Sequence, residues 1–137
     1  MGIRKIVFRA KRTDSGEWVY GSLIQFTDGD CIIVPEQENL AFREEYEVCP
    51  DTVGQYTGLK DRDGTEIYEG DLLGSKGKVI GWVKGGVRGY CYDVVYINHP
   101  AGECDWPLYS TVKADYPEQI EVIGNIHDNP ELLEDGK

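Results

Sequence analysis

Two carboxylates one residue apart, Glu69 and Asp71, have the best spacing in this sequence for general acid–base work. Residues i and i+2 share one face of a strand. Two close carboxylates push their proton affinities apart, so one can hold a proton while the other accepts one. The same pair also reads as solvated charge that discourages edge-to-edge strand pairing, and that reading is preferred. His99, in INHPAG, and His127, in NIHDNP, stand among turn-forming residues and match no catalytic signature;. There is no G-x-S-x-G elbow. Gly81, Gly85, Gly86 and Gly89 fit neither of the common phosphate-loop spacings;.

Metal chemistry finds no better support. Asp61, Asp63 and Gly64 look superficially like a calcium loop. Aligning Gly64 with that loop's glycine puts Leu59 at the first ligand position and Gly70 where the bidentate glutamate belongs;. DRDG therefore reads as a type I turn with a left-handed glycine. Cys31, Cys49, Cys91 and Cys104 form no closely spaced pair, which a tetrahedral zinc site needs;. No catalytic residue, cofactor or metal is assigned.

The remaining candidate is aromatic. Tyr90, Tyr92 and Tyr96 project to one face of a predicted strand at residues 87–97, and Trp82 lies on its predicted partner, residues 78–84. Such a cluster is either a groove that stacks a peptide or unpaired bases, or a set of cross-strand pairs that stabilises the sheet. Without supporting cations, base stacking is the weaker option. If Gly85-Gly86 forms a two-residue turn, Lys84 opposes Val87 and Trp82 opposes Gly89. The indole then has room over bare backbone, and the expectation is a partly exposed Trp82 or one covered by a second copy of the chain.

The elements that must position these residues are mostly strands. Residues 3–10, 18–26 and 31–34 are apolar or β-branched runs, the last two joined by Thr27-Asp28-Gly29-Asp30, a strong hairpin signal;. Residues 36–50 fit neither a helix nor a strand period and could hold a short helix or a loop with a late strand. Strands are expected at 53–59, 67–73, 78–84, 87–97 and 120–126. Residues 98–115 read as irregular. Asn129-Pro130 opens a short helical turn. The chain divides at about residue 50 into a β-rich lobe, 1–50, and a second lobe, 51–137, or else forms one compact domain.

The formal net charge is −11. Residues 36–51 and 115–137 together hold 13 of the 25 acids and 2 of the 14 bases, so they carry the whole imbalance. Such a field argues against direct nucleic-acid binding. There is no signal-peptide pattern, and no apolar run approaches the ~18 residues a membrane span needs. The reading is a cytoplasmic protein with reduced thiols and no membrane association.

Two segments carry a resemblance. TVGQYTGLKDRDGTEIYEGDLL at residues 52–73, followed by EVIGNIHDNPELL at 121–133, resembles the paired motifs of YopX-like proteins of phages and prophages. The strands around Trp18-Val19-Tyr20-Gly21 resemble that family's opening segment. The resemblance implies a mostly β structure in which an N-terminal meander is followed by an SH3-like, partly open barrel, with little helix. It implies no established activity. Its shared residues are of structural types: Gly54, Gly58, Gly64, Gly70 and Gly124 suit turns or bulges, and Tyr56, Leu59, Ile67 and Tyr68 suit packing.

Three functions stand as expectations. The first is a non-enzymatic module that binds a host or phage protein, with homo-oligomerisation a further option. The second is an acidic mimic of DNA that occupies the basic groove of a host protein. The third is a small enzyme of unknown type.

Overall fold

The computed structural model describes residues 5–36, 44–88, 91–97 and 104–133. These residues are mostly strand, with little helix. By contact the chain forms two compact units, Met1–Tyr56 and Thr57–Lys137.

The first unit is an antiparallel meander of β1 (Phe8–Lys11), β2 (Trp18–Gln25), β3 (Cys31–Val34) and β4 (Tyr46–Val48), in the order β4-β3-β2-β1. The start of β5 (Gly54–Lys60) adds to β1 at Gly54 and Gln55. The Asp28-Gly29 hairpin forms as expected. Phe26 N–H bonds to the Asp30 carbonyl, and the Asp28 carboxylate accepts the Asp30 N–H. One sheet face buries Ala10, Cys31, Ile33 and Val48, with Phe8, Val19, Leu23 and Val53 packed around them. The strict alternation of β2 and β3 sends every second side chain to this face. Burying an aliphatic side chain contributes roughly 1.5–3 kcal/mol, so this small cluster is what holds the unit's register. The late strand expected within 36–50 is β4, and residues 37–43 lie outside the described set.

The second unit contains the end of β5 and β6 (Glu66–Tyr68), joined by the Asp61–Gly64 turn. It also holds a five-stranded antiparallel sheet of β7 (Asp71–Ser75), β8 (Lys78–Arg88), β9 (Cys91–Tyr96), β10 (Cys104–Pro107) and β11 (Glu121–Asn125). The order is β10-β9-β8-β7-β11. Its core gathers Ile67, Leu73, Val83, Val94, Leu108, Val112 and Ile120. No barrel closes among the described residues, which gives the partly open, mostly β architecture expected.

Three local expectations are corrected. Residues 67–73 are not one strand. Gly70, at φ 89, turns the chain between β6 and β7, a conformation that suits a residue without a Cβ;. Gly85-Gly86 is not a turn. β8 continues through it, with Gly85 paired to Tyr92 and Arg88 to Cys91 across a bulge. Residues 98–115 are not irregular throughout. Beyond β10, an α turn at Leu108–Ser110 widens into a π turn at Thr111–Asp115 and buries Leu108, Thr111 and Val112 against the core. The expected helical turn after Asn129 forms at Pro130–Leu133.

Candidate functional site

Glu69 and Asp71 do not share a strand face, because the Gly70 turn separates them. Asp71 is buried, and its carboxylate accepts the Tyr68 N–H at 2.7 Å, closing that turn. Glu69 is half-buried and lies over Gly85 of β8. Both carboxylates therefore belong to the joint between β6, β7 and β8, and neither is a solvated edge charge.

The aromatic set divides as well. Trp82 pairs with Val95 of β9, not with Gly89, and Lys84 pairs with Asp93. Val83 lies opposite Val94, and these two enter the core with Tyr92 and Tyr96 packed against them. Trp82, one residue on from this pairing, projects from the other face of the sheet, half-buried;. The Tyr96 hydroxyl bonds to that of Thr111 at 2.9 Å, inside the helical segment's contact with β9. Burial raises the Tyr96 pKa, and the bond to Thr111 partly offsets the rise. Tyr90 and His99 lie outside the described residues. Trp82, Tyr92 and Tyr96 thus form no common surface.

Asp61 does not wait for a metal. One carboxylate oxygen accepts the N–H groups of Asp63 and Thr65, and the other accepts that of Val122, each at 2.9 Å. The Arg62 N–H bonds to the Ile120 carbonyl, and the Ile126 N–H bonds to the Gly70 carbonyl. The two motif segments thereby meet through backbone groups. At the end of β11, the Asn125 side-chain oxygen accepts the His127 and Asp128 N–H groups. That places His127 in a tight turn against Gly70. Among the described residues no group of three His, Cys, Asp or Glu side chains could hold a metal ion. Cys31 is buried, and Cys31, Cys49 and Cys104 carry free thiols.

The surface that sequence reasoning missed is the outward face of β2. Opposite the core side, Trp18, Tyr20, Ser22 and Ile24 alternate along the strand, and Phe26 follows in the turn. Tyr20 is 47% exposed, Ile24 39% and Phe26 49%. Across the ladder Lys11 pairs with Trp18, Arg9 with Tyr20 and Ile32 with Ile24. The Arg9 guanidinium lies 4.8 Å from the Trp18 ring centre and the Lys11 ammonium 5.5 Å. Cation–π attraction fixes the indole and holds two positive charges at one end of an apolar strip. The period-two pattern of β2 was the available signal, but it does not tell which of two apolar faces stays uncovered. At the neighbouring turn, Arg12 makes a two-pronged bond to Asp14 at 2.9 and 2.7 Å, which lowers the Asp14 pKa.

No helix among the described residues is long and apolar enough to cross a membrane. No curated protein matches the chain. Among solved structures it is similar to the crystal structure of protein EF1440 from Enterococcus faecalis. The two share 25% identity over 94% of this chain and 98% of that one, with a TM-score of 0.46. The family model described as YopX protein matches residues 7–134, so the two motif segments and the N-terminal meander fall within one match, and the chain belongs to the YopX family.

Proposed function

We propose that this protein is a non-enzymatic interaction module that binds a partner protein through the outward face of β2. The observation that carries this reading is the exposed row Tyr20, Ile24 and Phe26 beside a Trp18 ring clasped by Arg9 and Lys11. Tryptophan, tyrosine and arginine dominate the energetics of protein interfaces, because they bury much area while losing few rotamers. A sheet face presents them with the backbone already ordered, which lowers the entropy cost of docking. The carboxylates best spaced for catalysis are committed to the fold, which supports binding over turnover.

The test compares three tagged forms in lysate of the bacterial host: the unaltered protein, a Tyr20→Ser/Phe26→Ser variant, and a Tyr109→Ser control altered in the second unit. The expected result is one protein captured by the unaltered chain and the control but lost from the double variant, with all three forms folded by circular dichroism. Retention of the captured protein by the double variant would remove the face from the proposal.

A further inference from the structure

A groove of about 320 Å³ opens in the second unit between the Asp61–Gly64 turn and the segment that follows the π turn. Its floor is apolar, with Val112 and Ile120 buried beneath it and Pro117 at one side. Three cations line it, Lys60 from the end of β5, Arg62 from the turn and Lys113 from the π turn. We propose that this groove binds a small organic phosphate, with the cations on the phosphoryl group and the floor under its apolar body.

The charge arrangement carries the inference. Asp61 also lines the groove, but both its oxygens already accept backbone N–H groups, three in all. Among the described residues Lys60 and Lys113 make no salt bridge. Arg62 stands 3.6 Å from the Glu121 carboxylate and 3.9 Å from that of Asp63, both longer than a hydrogen bond;. Its planar fork therefore keeps donors for a ligand. In a chain of net charge −11, three cations from three separate elements around one hollow are not the by-product of a basic surface. A phosphoryl group offers three oxygens and up to two charges, against two oxygens and one charge for a carboxylate, so it suits a groove lined by three cationic side chains better;. Glu118 also lines the groove, and its negative charge opposes the binding of a second such group;. The volume lies at the small end of the range for ligand sites, roughly 300–1,000 Å³, which fits a phosphate ester with a body no larger than a ring.

Amide chemical shifts of the full chain, titrated at constant ionic strength, provide the test. The probes are phenyl phosphate, inorganic phosphate, benzoate and phenol. Phenyl phosphate is expected to saturate with shifts confined to residues 60–62 and 111–120. Inorganic phosphate and benzoate should bind more weakly, and phenol not at all. A Lys60→Gln/Lys113→Gln variant, altered at exposed positions, should bind phenyl phosphate about tenfold or more weakly with the rest of its spectrum unchanged. Linear, unsaturated shifts, or equal shifts at Lys76 and Lys78, would overturn the site. Benzoate binding as tightly as phenyl phosphate would overturn the phosphate assignment. Inorganic phosphate binding as tightly would overturn the role of the apolar floor. An unaffected double variant would overturn the role of the lysines.

Discussion

Asp61 and Val122 come from different motif segments, and the Val122 N–H donates to the Asp61 carboxylate at 2.9 Å. The same side chain also holds the turn that follows it, through Asp63 and Thr65. Removing an acceptor costs about 1–3 kcal/mol for each buried N–H left unsatisfied, and these three bonds are partly buried, which puts each at the low end;. Asp61→Ala should lower stability by about 3 kcal/mol, and Asp61→Asn by less, because one amide oxygen remains to accept. Urea unfolding checks this. An unchanged midpoint for Asp61→Ala would show that water replaces the carboxylate without penalty.

Two glycines of β8 should respond differently to alanine. A methyl at Gly81 would collide with the Val95 carbonyl oxygen, which cannot move without disturbing the β8–β9 ladder, and with a Val94 methyl, which is packed in the core. A methyl at Gly85 meets chiefly the Glu69 carboxylate, the tip of a flexible side chain. Gly81→Ala should cost roughly 2–3 kcal/mol, as overpacking does, and Gly85→Ala less than about 1 kcal/mol. Equal losses in thermal unfolding would mean that Glu69 is held as rigidly as backbone.

The hairpin between β7 and β8 turns on Lys76 and Gly77, at φ 52 and φ 80, with Ser75 paired to Lys78. Positive φ at both central residues is the type I′ pattern, which favours Asn-Gly. Lys76→Asn should stabilise the protein by roughly 0.5–1 kcal/mol, since lysine bears a steric cost in that region. A melting temperature that stays level or falls would contradict this.

Tyr96 predicts an alkaline dependence. Burial raises its pKa above the ordinary 10.0. Below that value the phenol is protonated in both folded and unfolded chains, and its packing and bond to Thr111 count in full. As pH rises through 10.0 the unfolded phenol ionises first, so this contribution drains away until the folded phenol ionises too. The stability gap between the unaltered protein and Tyr96→Phe should therefore shrink above about pH 10. The ring is partly exposed, so the effect is modest. A gap constant from pH 8 to 11 in urea titrations would contradict the argument.

These positions also show what the sequence makes legible. Asp28-Gly29, Asp61–Gly64 and Asn129-Pro130 announce their turns because each contains the residue its backbone angles require. Lys76-Gly77 escapes notice, since lysine is not a turn signal. The Gly70 break hides between two apolar pairs, Ile67-Tyr68 and Leu72-Leu73, which read as one run. Gly85-Gly86 misleads in the opposite sense, because β8 runs on through it and the missing Cβ at Gly85 leaves room for the Glu69 side chain above the strand, a tertiary fact. The helical segment at 108–115 is too short to show a period and forms where Leu108 and Val112 meet the core. Period two correctly puts Tyr92 and Tyr96 on one face, but the register that a Gly85-Gly86 turn implies is wrong, and pairing Val83 with Val94 sends Trp82 to the other face. The outward face of β2 and the cationic groove depend on what remains uncovered, which local pattern does not encode.

The pairing of β11 with β7 bears on how the chain is made. Leu73 leaves the ribosome long before Val122, yet the two are ladder partners. The ladders among β1, β2, β3 and β4 join neighbours in sequence, and β5 reaches back to β1 as soon as Gln55 has emerged, so the first unit can fold while synthesis continues;. Until Glu121–Asn125 emerges, one side of β7 and the Asp61 oxygen that accepts the Val122 N–H lack their partners. A nascent chain at that stage presents an open strand edge, and a shielding chaperone or a pause in translation would act in that interval.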